Sequence, residues 1–291
     1  MRVHVVGTGA LACLFGARLA HVAEVTLVGT WAEGIAAIVG GGIVVETSRG
    51  EEAIAAKAVR LGTPLCAADL VLVLVKSWQT EHVAREVPAL AARDGHVLTL
   101  QNGLGNAEKL GKRAVLGVTE QGATLTAPGR VRPSGDGSTH IAGPESLAAL
   151  FRSAGLDARA VEPARGASLV WGKLAVNAGI NALSAILRVP NGRLLERPEA
   201  LALLERAANE VADVARATGI ALPFPDAAAE ARRVARATAS NLSSMLQDVL
   251  RGAPTEIDAI NGAVVREGAR LGVPTPANET LLRLSAGRAA A

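Results

Sequence analysis

Lys173, Asn177 and Asn181 stand four residues apart in turn within the segment Trp171-Gly172-Lys173-Leu174-Ala175-Val176-Asn177-Ala178-Gly179-Ile180-Asn181. On a helix this spacing lines the three up on one face. The rest of the segment is mostly apolar, which predicts a largely buried helix. Burying an ammonium and two amides without partners costs several kcal/mol, about 1–3 for each amide and more for the charge. The stripe therefore predicts a polar ligand or a cleft. The choice of lysine points to the chemistry. Only five of the 30 Lys and Arg residues are lysine. Arginine stays protonated at any working pH, whereas a desolvated lysine can exchange its proton. Lys173 is thus a candidate proton donor; the structural alternative is an ion-paired or snorkelling lysine.

A second set of residues lies at the start of the chain. Arg2 to Val6 reads as a short buried strand, Gly7-Thr8-Gly9-Ala10-Leu11-Ala12 follows at once, and Cys13 to Ala20 continues as an apolar helix. Strand, glycine turn and helix in this order carry the G-x-G-x-x-A form of the dinucleotide fingerprint. Gly7 permits the tight turn, Gly9 lets a pyrophosphate approach the backbone, and Ala12 is small enough for helix to pack on strand. The helix N-terminus then offers free N–H groups to the phosphates.

Further polar residues sit at strand ends, where ligands of open α/β sheets bind. Lys76 ends the apolar run Leu70 to Val75, with Gln79 three residues later. Gln101-Asn102-Gly103-Leu104-Gly105 ends the next strand. Each has a plain alternative, a solvated lysine or a turn-forming asparagine. Asn241 and Ser244 lie three apart on one helical face. Thr255-Glu256-Ile257-Asp258 opens another helix, where an N-cap and the helix dipole account for both acids without catalysis.

The elements that position these residues change character along the 291-residue chain. Strands are expected at Val25 to Gly29, Ile43 to Glu46, Leu70 to Val75, Val97 to Gln101 and Ala114 to Val118. They alternate with helices such as Trp31 to Val39, closed by Gly40-Gly41-Gly42. After Gly129 short extended pieces suggest an antiparallel hairpin at the sheet edge, then a helix over Glu145 to Ala154 and a last strand over Ala158 to Val161. Beyond residue 164 only helices are expected: Ala167 to Leu187, Pro198 to Thr218, Asp226 to Ala237, Leu242 to Arg251 and Thr255 to Leu271, with an alanine-rich, frayed C-terminal tail. The fold class is α/β: an N-terminal Rossmann-type doubly wound sheet, residues 1–163, binds a dinucleotide, and an all-helical C-terminal domain, residues 164–291, binds substrate. The cleft between the two is the expected active site.

Composition narrows the function classes. With three Phe, three Trp, no Tyr and a net charge of +3, nucleic acid is not an expected partner. The five histidines are scattered without ligand spacing, so no metal site is expected. Cys13 and Cys66 lie far apart in apolar surroundings, as free thiols in a reducing cytoplasm would. No uninterrupted apolar run of bilayer length is evident, so no membrane association is expected. An apolar helical domain is compatible with a homodimer.

Together these motifs resemble the ketopantoate reductase family along essentially the whole chain. The resemblance rests on Gly7 to Ala10, Lys76 with Gln79, Gln101-Asn102-Gly103, Lys173 with Asn177 and Asn181, Pro190-Asn191-Gly192, Ser243 to Asp248 and Thr255 to Asp258. It implies NADPH-dependent reduction of ketopantoate to pantoate on the route to pantothenate. By similarity Lys173 protonates the ketone oxygen as hydride arrives at its carbon. Asn177, Asn181, Asn191, Asn241 and Ser244, with Lys173, hold the substrate. The glycine turn from Gly7 to Ala12, Lys76, Gln79, Asn102, Ala123 and Glu256 form the cofactor site, Glu256 also acting with Lys173 in catalysis. One departure concerns the cofactor. The family usually carries an arginine just after the second strand for the 2′-phosphate of NADPH, and here that place is Thr30. Glu33, the nearest acid, lies a turn later, so NADH is not excluded. The alternatives are a reductase of another 2-keto acid on the same scaffold, and a non-catalytic NADP(H) sensor.

Overall fold

The computed structural model describes residues 1–135 and 137–288. The chain divides into two compact units. One comprises Met1–Gln101 with Asn106–Gly166; the other comprises Asn102–Gly105 with Ala167–Ala291.

The first unit runs β1 (Arg2–Val6), α1 (Ala10–Leu19), β2 (Glu24–Gly29), α2 (Ala32–Gly41), β3 (Ile43–Thr47), β4 (Gly50–Ile54), β5 (Lys57–Arg60) and β6 (Ala68–Val73). It continues through α3 (Thr80–Ala84), α4 (Val87–Leu90), β7 (Ala91–Thr99), α5 (Asn106–Leu110), β8 (Ala114–Thr119), β9 (Gly122–Ala127), β10 (Arg130–Gly135), β11 (Thr139–Ile141), α6 (Glu145–Ser153) and β12 (Ala158–Ala160). Eight strands form one sheet in the order β12-β11-β8-β7-β6-β1-β2-β5. All its pairings are parallel except β8 with β11. The order reverses direction at β1, between β2 and β6, as a doubly wound fold requires. The central strands are near-continuous Val and Leu runs because both faces are covered. One face carries Val5, Leu27, Leu72 and Leu98 against α1 and α6, where Phe15 meets Phe151 at 5.7 Å. The other carries Val6, Val28, Val71 and Val73 against α3 and α4.

Two expectations are corrected here. The hairpin, β9 turning at Pro128-Gly129 into β10, does not extend the edge of the main sheet. It joins β3 and β4 in a separate four-stranded sheet, β4-β3-β10-β9. Ile43, Val45 and Val131 of that sheet share a core with Leu14 and Phe15 of α1, so α1 is clasped between two sheets. And α2 is not closed by its three glycines: it runs through Gly40 and Gly41 and stops at Gly42, at φ +75°.

The second unit is helical: α7 (Pro163–Leu187), whose first residues precede the unit boundary, α8 (Pro198–Ala217), α9 (Ala227–Ala237), α10 (Ser244–Leu250), α11 (Ala263–Leu271) and α12 (Pro276–Arg288). Its core gathers Leu174, Ala178, Leu204, Val211, Ala231, Val264 and Leu281. Two further corrections fall here. The helix expected from Thr255 to Leu271 starts at Asp258, and its first residues, 258–262, wind as a π-helix that runs directly into α11. The helix expected from Leu242 starts at Ser244, where Ser243 Oγ accepts the Leu246 N–H as N-cap. The chain is helical through Arg288, the end of α12; the alanine tail expected to fray, 289–291, lies outside the described residues. One helix among the described residues, α7, is long and apolar enough by length and mean hydropathy to cross a bilayer, although Lys173, Asn177 and Asn181 interrupt its apolar run. Its most apolar window is 72% buried inside the fold, as befits a core helix.

Candidate functional site

In the first unit the glycine turn is held by specific contacts. Gly7 has φ +134°, and a Cβ there would lie 3.1 Å from Leu74 O and 3.2 Å from Ala12 Cβ. Glycine at 7 and a small residue at 12 are therefore coupled requirements. The Gly7 N–H donates to Val28 O at 2.8 Å, and Cys13 Sγ donates to Thr8 O at 3.6 Å. Burial pushes the Cys13 thiol up to about 12, so it serves as a neutral packing group. Gly9 is exposed, and a Cβ there would meet nothing within 4 Å. No side chain caps α1, which leaves the first-turn amides of Ala10, Leu11 and Ala12 to a ligand. An open glycine over an uncapped helix start fits a dinucleotide pyrophosphate.

The adjacent strand ends are tied together by side-chain amides. Gln101 Nε2 donates to Val75 O at 2.8 Å and to Thr80 Oγ1 at 2.9 Å, and Thr80 Oγ1 donates to Asn106 Oδ1. Gln79 Oε1 accepts the Lys76 N–H at 3.3 Å. Thus Gln79 fixes the turn that presents half-buried Lys76. Ala123 lies elsewhere in this unit, on β9 opposite Pro133 in the four-stranded sheet.

In the second unit α7 carries Lys173, Asn177 and Asn181 in line over about 12 Å, from the 1.5 Å rise per residue. Lys173 and Asn177 are half-buried and Asn181 is buried. One turn beyond, Ser184 Oγ bonds Asn181 O at 3.1 Å and Ser243 Oγ at 2.7 Å, which brings the start of α10, and with it exposed Ser244, to this end of the row. The Asn191 N–H donates to Asn241 O at 3.0 Å, and Asn191 Nδ2 donates to Thr238 Oγ1 at 2.9 Å. Asn191 is 6% exposed, and its Oδ1 is buried with no hydrogen-bond partner, an acceptor the fold itself leaves unsatisfied.

Asn102 also belongs to this unit. Gly103, at φ +85°, approaches residue 259 so closely that a Cβ would lie 2.3 Å from Ala259 O, and Leu104 N donates to the same oxygen at 3.0 Å. This docking brings Asn102 Nδ2 within 3.3 Å of Glu256 Oε2. Glu256 is 5% exposed and sits at the start of the helical stretch that opens with the π turn, where Thr255 Oγ1 accepts the Ile257 N–H and Glu256 O accepts those of Ala259 and Ile260, so the N-terminal account and the contact with Asn102 both apply to it. Sequence reasoning missed Ser184 and Thr238 and named Ser243 only as the first residue of the Ser243 to Asp248 motif; all three support the site without standing in the row. Only the Ser-Ser pair ahead of Met245 hinted at a cap. No cluster of His, Cys, Asp and Glu suited to a metal ion occurs among the described residues.

The ketopantoate reductase PanE/ApbA family model matches residues 3–145, and the model of the family's C-terminal part matches residues 167–289. A 2-dehydropantoate 2-reductase of Halobacterium salinarum is 39% identical over 98% of this chain and 97% of its own. A PanE/ApbA family ketopantoate reductase from Ralstonia eutropha superimposes with a TM-score of 0.92 at 36% identity, covering 100% of this chain and 99% of that one. A D-mandelate dehydrogenase solved with NADH and anilino(oxo)acetate reaches 0.93 at 28% identity over the same shares. With an open glycine turn over an uncapped helix in one unit and a lysine-asparagine row on a buried helix in the other, the chain belongs to the ketopantoate reductase family, NAD(P)H-dependent oxidoreductases that act on a CH–OH group.

Proposed function

We propose that this protein reduces 2-dehydropantoate to pantoate with NADPH, a step toward pantothenate. The observation that carries the reading is the row Lys173, Asn177 and Asn181 on a helix whose other faces are packed in the core. The glycine turn from Gly7 to Ala12, with Lys76, Gln79 and Ala123, holds the cofactor in this reading. Bound there, the reduced nicotinamide supplies hydride to the ketone carbon. Lys173 donates its proton to the ketone oxygen as negative charge develops on it, and recovers a proton from solvent afterwards. Asn177, Asn181, Asn241 and Ser244 position the substrate carboxylate and hydroxyl. The unpartnered Oδ1 of Asn191 accepts a substrate hydroxyl. Glu256, steadied by Asn102, orients the Lys173 ammonium and borders the cofactor.

The test is Lys173→Ala, assayed by NADPH oxidation with ketopantoate. Loss of a general acid lowers kcat by about 10²–10⁴-fold, with NADPH affinity retained. An unchanged kcat sinks the role of Lys173. Absence of ketopantoate-dependent oxidation by the unaltered chain sinks the substrate.

A second reading has a specific support. Thr30 stands where the family's arginine is expected, and the likeness to a D-mandelate dehydrogenase solved with NADH is high. Reduction of another 2-keto acid, with NADH as donor, follows from it. Comparing turnover on ketopantoate and on a phenyl-substituted 2-keto acid, with each cofactor, separates the two.

A further inference from the structure

The end of β2 offers a hydroxyl, Thr30, where a 2′-phosphate needs a cation. The neighbouring strand supplies one. In the parallel pairing of β2 with β5, Gly29 stands opposite Arg60, and Leu61 N donates to Gly29 O at 2.8 Å. Paired residues of a parallel ladder project to the same face. Arg60 therefore projects to the face of Ala58 and Leu27, on which α1 and α2 pack. On that face Gly29 leaves a gap that the glycine turn fills: a Cβ on Gly29 would lie 2.8 Å from Thr8 Cγ2 and 3.0 Å from Thr8 Oγ1. Thr8, Gly29 and Arg60 thus form one row across the strand ends, from the phosphate turn to the guanidinium.

Strands lie about 4.8 Å apart, and an arginine side chain is longer than that, so from its place beside Gly29 the Arg60 guanidinium can reach the end of β2. Arg60 is exposed and forms no ion pair or side-chain hydrogen bond among the described residues. Its donors are available. A dinucleotide whose pyrophosphate lies at Gly9 places its adenosine ribose at the end of the second strand.

We propose that Arg60, on the strand beside β2, binds the 2′-phosphate of NADPH in place of an arginine after β2, and so sets the cofactor preference. The inference rests on the NADPH reading above.

The experiment is equilibrium binding of NADPH, NADH and adenosine 2′,5′-bisphosphate to the full chain and to Arg60→Ala, by calorimetry without substrate. A charge-assisted phosphate contact corresponds to about 10–100-fold in affinity. Arg60→Ala is expected to lose that factor for NADPH and for the bisphosphate, and to bind NADH within about twofold of the unaltered chain. Arg60→Lys is expected to recover part of it, and the unaltered chain's NADPH affinity to fall with added salt more steeply than that of Arg60→Ala. If the NADPH to NADH ratio is the same in Arg60→Ala as in the unaltered chain, Arg60 is not the determinant, while an NADPH preference in both leaves the cofactor reading standing. Equal affinity of the unaltered chain for the two cofactors overturns the NADPH reading and this inference with it.

Discussion

Glu256 and Asn102 are 154 residues apart in sequence and 3.3 Å apart in the fold. Neither stands out in the sequence, because an acid after a threonine reads as a helix cap and an asparagine before a glycine reads as a turn. Only tertiary docking joins them. The row on α7 was legible for the opposite reason: its spacing is local and its surroundings apolar. If Glu256 positions the Lys173 ammonium, Glu256→Gln lowers kcat by about tenfold or more while KM for the keto acid changes less. A proportional loss in both, with unchanged folding, removes the positioning role. The two cysteines give a second prediction at this scale. Cys13 is buried, with its thiol pushed up to about 12, and Cys66 is exposed. A thiol reagent at pH 8 should therefore label one cysteine in the native chain and two after denaturation. Two rapid labels in the native state contradict the packing around α1.

At the scale of elements, periodicity revealed most of the main-sheet strands and the long helices, and failed where two segments must meet before either is defined. The strands β3, β4, β9 and β10 are short, half-exposed and mostly antiparallel, so nothing local distinguishes a second sheet from an extension of the first. The π turn at 258–262 is equally silent in the sequence. It arises where the 102–105 loop docks against Ala259, and π turns recur at functional sites. Gly103 and Gly105 test that docking as a pair. Both have positive φ, +85° and +83°, but only Gly103 faces a backbone atom, while Gly105 faces open space. Gly105→Ala should cost about 1 kcal/mol from backbone strain alone. Gly103→Ala should cost about 2–4 kcal/mol, since Ala259 O cannot move without disturbing the π turn. Denaturant melts of both variants check this, and equal losses would show the loop to be free of that contact.

For the molecule as a whole, pH dependence near neutrality singles out one buried group. His4 lies on β1 with 1% of its surface exposed, and its Nδ1 has no partner. Burial holds its pKa below the usual 6.5, the bond to the backbone of Leu90 opposing that shift in part. The unfolded chain then binds a proton that the folded chain refuses. The stability due to neutral His4 is present above pH 6.5 and is lost as the pH falls through the lowered folded value, by at most about 1.4 kcal/mol per pH unit. The melting temperature of the unaltered chain should drop between pH 7.5 and 5.5 by more than that of His4→Leu. Parallel curves would assign the dependence elsewhere. The carboxylates whose pKa is lowered by partners, exposed Glu24 beside Lys57 and half-buried Glu46 beside Thr126, act below about pH 4.5 and do not interfere in this window.

The loop Asn102–Gly105 is counted with the helical unit, although the chain on both sides of it is counted with the sheet. The polypeptide therefore changes unit three times, not once. A recombinant hybrid that joins the sheet unit of one reductase to the helices of another at residue 166 inherits a foreign loop. Its Gly103 must fit an Ala259 carbonyl it did not evolve with, and its Asn102 must find a new Glu256. Breeding new specificities by exchanging halves of such enzymes therefore calls for a third graft, four residues long, cut from the interior of the donor's nucleotide half.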